Sequence, residues 1–246
     1  MTTFRATLAY DGTGFAGWQR QAGGVSIQGL IEDALAHLEG RPVAVHGAGR
    51  TDAGVHALGQ VASFSLDRPI DAATLRRALN AHLPGAIRAL EVAAAPGFHA
   101  RFDARAKTYR YRIANAEVLI PFERLYALHV PRPLDAEAMD RAGRLLEGRH
   151  DFAAFQASGG GASGTTREIT CCRLACAEDR IVAVEITGTG FLRHMVRTIA
   201  GSLIEVGRGR RPASWLGDLL VAGDRALAGP TAPAHGLFLV GVEYDS

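Results

Sequence analysis

Hydrophobic and polar positions alternate from the start of the chain. Phe4, Ala6, Leu8 and Tyr10 are separated by Arg5, Thr7 and Ala9, a period of two that predicts a strand with one buried face. The period then changes. Ile27, Leu30, Ile31, Ala34, Leu35 and Leu38 share one side of a helix, and Ser26 stands where an N-cap belongs. Strand-like runs follow at residues 43–46 and 60–65. A second helix begins after Asp71 and carries Leu75, Ala78, Leu79 and Leu83 on one face. A strand over 87–92 ends at Pro96-Gly97.

The second half repeats this style. Residues 107–113 alternate, with Tyr109, Tyr111 and Ile113 on one face and Thr108, Arg110 and Arg112 on the other. Asp135 caps a helix bearing Ala138, Met139, Ala142, Leu145 and Leu146. Residues 158–164 are almost all Gly, Ser and Ala and predict a mobile surface loop. Strands at 170–176 and 180–187, helices at 191–206 and 214–221, and a last strand from Leu237 to Tyr244 complete the chain. Strands and helices mix without strict βαβ alternation, so the expected class is α+β with mainly antiparallel sheet. The simplest organisation is two α+β halves, 1–100 and 101–246, joined into one extended sheet with helices on its outer face.

The segment Gly47-Ala48-Gly49-Arg50-Thr51-Asp52-Ala53-Gly54-Val55-His56 lies between two of these strands. Glycines let its backbone bend tightly or lie against another molecule. A Gly-Asp segment between strands is ordinarily a turn, its carboxylate bonded to nearby amides. Here Asp52 also has an arginine two residues before it and a histidine four after it, and chemistry concentrates on loops held by rigid strands.

Composition narrows the classes. The chain has 246 residues, 48% hydrophobic and 21% charged, which suits a soluble globular protein of one large or two moderate domains. It holds no apolar run of about 20 residues, the length of a membrane span, and no signal-peptide stretch opens it. A cytoplasmic protein is expected. Cys171, Cys172 and Cys176 are odd in number and without metal-ligand spacing, so they read as reduced strand residues and no metal is expected. Net charge is only +2, but Lys107 is the single lysine and every other cation is arginine. Arginine suits phosphate forks and base stacking, although coding bias in a GC-rich genome also yields this skew.

Five segments together resemble the TruA family of tRNA pseudouridine synthases. They are Tyr10-Asp11-Gly12-Thr13 with Phe15-Ala16-Gly17-Trp18-Gln19; Arg50 to His56; Phe98-His99-Ala100-Arg101-Phe102 with Tyr109-Arg110-Tyr111; Gly190-Phe191-Leu192-Arg193-His194-Met195-Val196-Arg197; and Ala232-Pro233-Ala234-His235-Gly236-Leu237-Phe238-Leu239. They run in order through nearly the whole chain. The resemblance implies the pseudouridine synthase fold, with the active cleft between its halves. It implies conversion of uridine to pseudouridine at positions 38, 39 and 40 of the tRNA anticodon stem-loop, without a cofactor, by a homodimer.

Residue by residue, Asp52 matches the catalytic aspartate and Arg197 the arginine that pairs with it. Tyr109 matches the tyrosine that stacks on the target base, and Arg50 a residue that helps expel that base and hold phosphate. Tyr111, two residues on, points the same way as Tyr109. Arg20, Arg101, Arg105, Lys107, Arg110 and Arg112 are basic positions that suit RNA contact; an exposed charged strand face gives the same pattern. The chain departs from the family at its glycine-rich 158–164 segment, at Cys171-Cys172 and at His235.

Two other readings compete. One is a catalytically silent RNA-binding protein on the same scaffold, against which Asp52, Tyr109 and Arg197 all stand intact. The other is a nucleotide-binding oxidoreductase. Gly12-Thr13-Gly14-Phe15-Ala16-Gly17 satisfies GxGxxG after a strand, but no helix opens on its last glycine, and Glu32 and Asp33 lie inside a helix rather than at a strand end.

Overall fold

The computed structural model describes residues 1–159, 164–177 and 180–245, so most of the expected 158–164 loop lies outside the described residues. The chain forms two compact units. The first is Met1–Arg105 with Phe238–Ser246, and the second is Ala106–Leu237. The division falls five residues beyond the expected boundary, and the last strand lies with the first unit rather than the second.

In the first unit, β1 (Thr2–Tyr10) buries Phe4, Ala6, Leu8 and Tyr10 and leaves the alternate residues half-exposed, as the period of two requires. It lies between β4 (Ile87–Ala94) and β3 (His56–Leu66), antiparallel to both. Beyond β3, β10 (Leu237–Tyr244) pairs in parallel, with Phe238 opposite His56. The expected strand at 43–46 shortens to β2 (His46–Gly47). Helix α1 (Ile27–Glu39) starts where the Ser26 hydroxyl accepts the Gly29 amide. Helix α2 (Ala72–His82) starts where Asp71 accepts the Thr74 amide. Asn80 fastens α2 to β4 through both ends of its amide, which exchange hydrogen bonds of 2.9 and 2.8 Å with Ala89.

The second unit is built on β5 (Ala104–Ala114), β9 (Ile181–Gly188), β8 (Thr166–Ala177) and β7 (Gly148–Asp151), antiparallel neighbours in that order. The short β6 (Leu128–His129) runs parallel to β5. On one sheet face Tyr109, Tyr111 and Ile113 stand opposite Ile186, Val184 and Val182 and are buried. Helices α3 (Ala136–Arg144), capped by Asp135, and α4 (Met195–Gly207) belong to this unit, followed by α5 (Trp215–Ala222). Cys171 and Cys172 lie in β8 as free thiols. The side chain of Cys176 is outside the described set. Among the described residues no helix is long and apolar enough to cross a membrane.

Helix α4 starts later than its sequence predicts. His194 takes a left-handed backbone, φ 61°, and the turn before it closes through Met195 N–H to Leu192 O at 3.1 Å. A left-handed residue cannot continue a right-handed helix, so residues 191–194 form a turn instead. Most of α4 is buried, including Thr198 and Ser202.

Candidate active site

Asp52 lies in the loop between β2 and β3 and is half-exposed. Its carbonyl accepts the Val55 amide at 3.2 Å, so the aspartate opens a tight turn. The backbone beneath it is fixed from one side by residues 10–18. Trp18 N–H donates to Thr51 O at 3.0 Å, and the Tyr10 hydroxyl meets the Thr51 hydroxyl at 2.8 Å. Gln60 donates to Gly49 O at 2.9 Å. Burial pushes the Tyr10 phenol up to about 12, despite its hydrogen bonds to Thr51 and Gln60, so it stays protonated and keeps this lock at neutral pH.

The glycines of the GxGxxG string explain themselves here. A Cβ on Gly12 would stand 2.1 Å from Val55 O. One on Gly17, whose φ is +92°, would stand 2.6 Å from Thr51 O and 3.0 Å from the Asp52 carbonyl carbon. The string is where one backbone lies flat on another, under the carboxylate. Trp18 is buried against Gly47, at the entrance to the same loop.

His56 closes the loop at its far end. Its ring is buried and stacks on Phe238 with centroids 4.6 Å apart. Nδ1 accepts the Gly12 amide at 3.0 Å and lies 3.1 Å from an Asp11 carboxylate oxygen. Tyr10, Gln60 and His56 are positioning residues that sequence reasoning left without a role. The signal for His56 was its place four residues after Asp52, and for Tyr10 a polar group on the strand face due to be buried; Gln60 gave none.

Arg50 is exposed, two residues before Asp52. A half-exposed carboxylate on an immobilised loop, with an arginine two residues before it in the chain, can act as nucleophile or base on an anionic substrate.

In the second unit, Arg197 sits in the first turn of α4, half-buried among buried neighbours. A cation there opposes the helix dipole, so helix stability does not account for it. Its Nε donates to Ala232 O at 2.8 Å, and Ala232 N–H returns a bond to Arg197 O at 3.1 Å. The 229–233 segment can approach α4 this closely because Gly201 has no side chain; a Cβ there would stand 1.8 Å from Pro230 O.

The same segment separates the two tyrosines. Tyr111 is fully buried, donates its hydroxyl to Pro233 O at 2.9 Å and has Gly236 against its ring. Burial pushes its phenol well above the usual tyrosine range, the nearby Arg197 charge opposing only in part. Tyr109 lies edge-on to Phe191, with centroids 5.1 Å apart and rings at 82°.

The basic positions divide by partner. Arg20 is bound to Glu32 and Asp33 at 2.6 Å each and to Gly29 O, and the two carboxylates push its pKa further up. Arg105 pairs with Asp245. Arg110 pairs with Glu185, and Arg112 with Glu123 at 2.9 Å. Lys107 is half-buried on β5. Arg101 is exposed, its guanidinium 5.8 Å from the Phe102 ring centre.

A family model described as tRNA pseudouridine synthase matches residues 6–103 and 142–245. The tRNA pseudouridine synthase A of Solibacter usitatus is 50% identical over 250 residues, covering 99% of this chain and 100% of the relative. That of Syntrophotalea carbinolica is 46% identical over 245 residues, covering 99% and 97%. That of Myxococcus xanthus is 44% identical over 245 residues, covering 99% and 92%. The match spans both units and includes the immobilised Asp52 loop and the Arg197 helix, and the chain belongs to the tRNA pseudouridine synthase family.

Proposed function

We propose that this chain isomerises uridine to pseudouridine in tRNA, at positions 38, 39 and 40 of the anticodon stem-loop. The observation that carries this reading is the Asp52 loop, immobilised by Gly12 and Gly17 in a chain of this family. The reaction breaks the bond between N1 of the base and C1′ of the sugar, turns the base and joins C5 to C1′. C5 loses a proton and N1 gains one. Atoms balance without a redox change or a donated group, so the reaction asks for no cofactor. Asp52 attacks the sugar or the base, or removes a proton from the sugar. Arg197 is the counter-charge to Asp52, and Tyr109 offers a ring to the base once it is flipped from the stack. Arg50 takes phosphate beside it.

The chain acts in the cytoplasm, where its substrate is made, and as a homodimer. Val118 and Ile120 are exposed and line a groove of about 440 Å3 with Ala114, Ala175 and Ala183, and Phe122, two residues after Ile120 in the chain, is exposed as well. The groove's own ion pairs, Arg110 with Glu185 and Arg112 with Glu123, leave it neutral, which suits a second copy better than RNA. Two-fold pairing presents the same patch from both subunits. Phe122→Glu should yield monomers in sedimentation; an unchanged dimer would place the interface elsewhere.

The direct test of the activity is to map pseudouridine in unmodified tRNA incubated with purified protein. Product at positions 38–40, absent with Asp52→Asn although tRNA affinity stays near normal, is expected. Substantial turnover by Asp52→Asn would remove the aspartate from the chemistry.

A further inference from the structure

Three aromatic rings form a ladder on the first unit that the reaction at Asp52 does not use. His46 of β2 stacks on His99 with centroids 4.9 Å apart and planes at 28°. His99 stacks in turn on Phe102, at 4.2 Å and 31°. Phe102, at the end of the ladder, is 75% exposed. A phenylalanine so exposed is usually found on a loose loop, but this loop is pinned at every residue. Ala100 N–H donates to Ser63 Oγ at 3.0 Å, and the Tyr244 hydroxyl donates to Ala100 O at 2.7 Å. The Arg101 and Phe102 amides both donate to His99 Nδ1, at 3.2 and 3.3 Å, and His99 N–H donates to Asp103 at 2.8 Å. The turn fixes the backbone that carries Phe102, and its ring lies against His99 and Arg101.

The charges around the ladder favour an anion. Arg101 stands at its open end, and Arg5 lies over Tyr244 at 4.7 Å and Phe98 at 5.4 Å. Of the nearby carboxylates, Asp103 is held by the His99 amide and Asp245 by Arg105. The turn also packs on the catalytic segment, since Ala100, Val61 and Ala48 form one buried cluster and Ala48 lies just before Arg50 and Asp52. Flat rings in series, ending in an exposed face beside a guanidinium, match what an unpaired base and its phosphate require.

We infer that His46, His99 and Phe102, with Arg101, form a stacking platform for an unpaired nucleobase of the tRNA, separate from the uridine that reacts. This rests on tRNA being the substrate. The platform binds and orients; it takes no part in the bond changes.

The test compares Phe102→Leu, which keeps apolar area without a ring, with Phe102→Tyr, which keeps the ring. Each is titrated against fluorescently labelled tRNA and assayed for pseudouridine at saturating tRNA. Phe102→Leu should raise Kd by about 5- to 150-fold, the range one stacked base is worth. Phe102→Tyr should stay near wild type, and kcat should be little changed in both. Phe102 is exposed, so folding is not at risk, and circular dichroism checks it. Wild-type affinity in Phe102→Leu, or equal loss in both variants, overturns the platform. A changed sedimentation coefficient in Phe102→Leu with unchanged tRNA affinity also overturns it, since the face would then hold protein. If the wild type itself neither binds nor modifies tRNA, the proposed function fails instead.

Discussion

Gly12 and Val55 meet without room for a methyl group: a Cβ on Gly12 would stand 2.1 Å from the Val55 carbonyl oxygen. Val55 sits three residues after Asp52, in the same turn. Gly12→Ala must therefore push that turn away from its support. Overpacking of this kind costs about 1–3 kcal/mol. Unfolding midpoints should fall accordingly, and turnover should fall far more than tRNA affinity does. Gly14, with open space around its Cβ position, is the control for this crowding. Gly14→Asn suits its left-handed backbone and should stay close to wild type; equal damage at both sites would remove the crowding argument.

The two tyrosines of β5 should separate by assay. Tyr111→Phe leaves the Pro233 carbonyl without the hydroxyl it accepts, a loss of about 1–3 kcal/mol for a buried acceptor. Stability should drop while turnover at low temperature persists. Tyr109→Leu should lower melting somewhat, since the ring is buried against Phe191, but should lose turnover well beyond that at low temperature, and Tyr109→Phe should keep more activity than Tyr109→Leu. Normal turnover in Tyr109→Leu with failure in Tyr111→Leu would exchange their roles.

Arg197 is expected to act through Asp52. Arg197→Met keeps the stem in its buried surroundings and removes the charge, so the helix should persist and activity collapse. Arg197→Lys should recover only part, because an ammonium lacks the fork and cannot hold Ala232 O as Nε does. The coupling is read from a double-mutant cycle with Asp52→Asn, scored on unfolding free energies, which all four proteins supply. Strictly additive losses would remove Arg197 as the partner and return Arg50 to that role.

Burial pushes the Cys172 thiol up to about 12, with Glu147 adding to the shift. A raised pKa leaves almost no thiolate at neutral or mildly alkaline pH. Iodoacetamide at pH 8 should therefore modify Cys171, which is half-exposed, and spare Cys172 until the protein unfolds. Mass spectrometry of the peptide that carries both residues distinguishes the two outcomes, and labelling of native Cys172 would contradict its burial.

Local features were legible in the sequence. The alternation of Phe4 to Tyr10 and the caps at Ser26, Asp71 and Asp135 appear as expected, because a strand face and a cap depend on neighbours two to four residues away. Long-range partners were not. Arg105 finds Asp245 and Tyr111 finds Pro233 across more than a hundred residues, and no periodicity announces such pairs. Gly12 and Gly17 looked like a nucleotide motif because their spacing is common, whereas their role depends on which backbone lies opposite. Nothing around His194 signals its left-handed turn, so α4 was drawn too long. Asp52 was singled out by the family resemblance; its isolated Gly-Asp setting reads as a turn, which it also is.

The parallel pairing of β10 with β3 sets a schedule for the nascent chain. His56, at the end of the Asp52 turn, faces Phe238, which a ribosome adds only after the whole second unit. The first unit therefore cannot finish folding when its own hundred residues have emerged; it must wait through synthesis of the entire second unit. Contacts this distant are slow to close. Translation intermediates stalled before residue 238 should leave β3 sensitive to protease, and release of the full chain should protect it. Early protection would show that the N-terminal segments hold this strand without their C-terminal partner. A product that stops before β10 would carry Asp52 yet lack the strand that pairs with His56, which ties the mounting of the Asp52 turn to synthesis of β10.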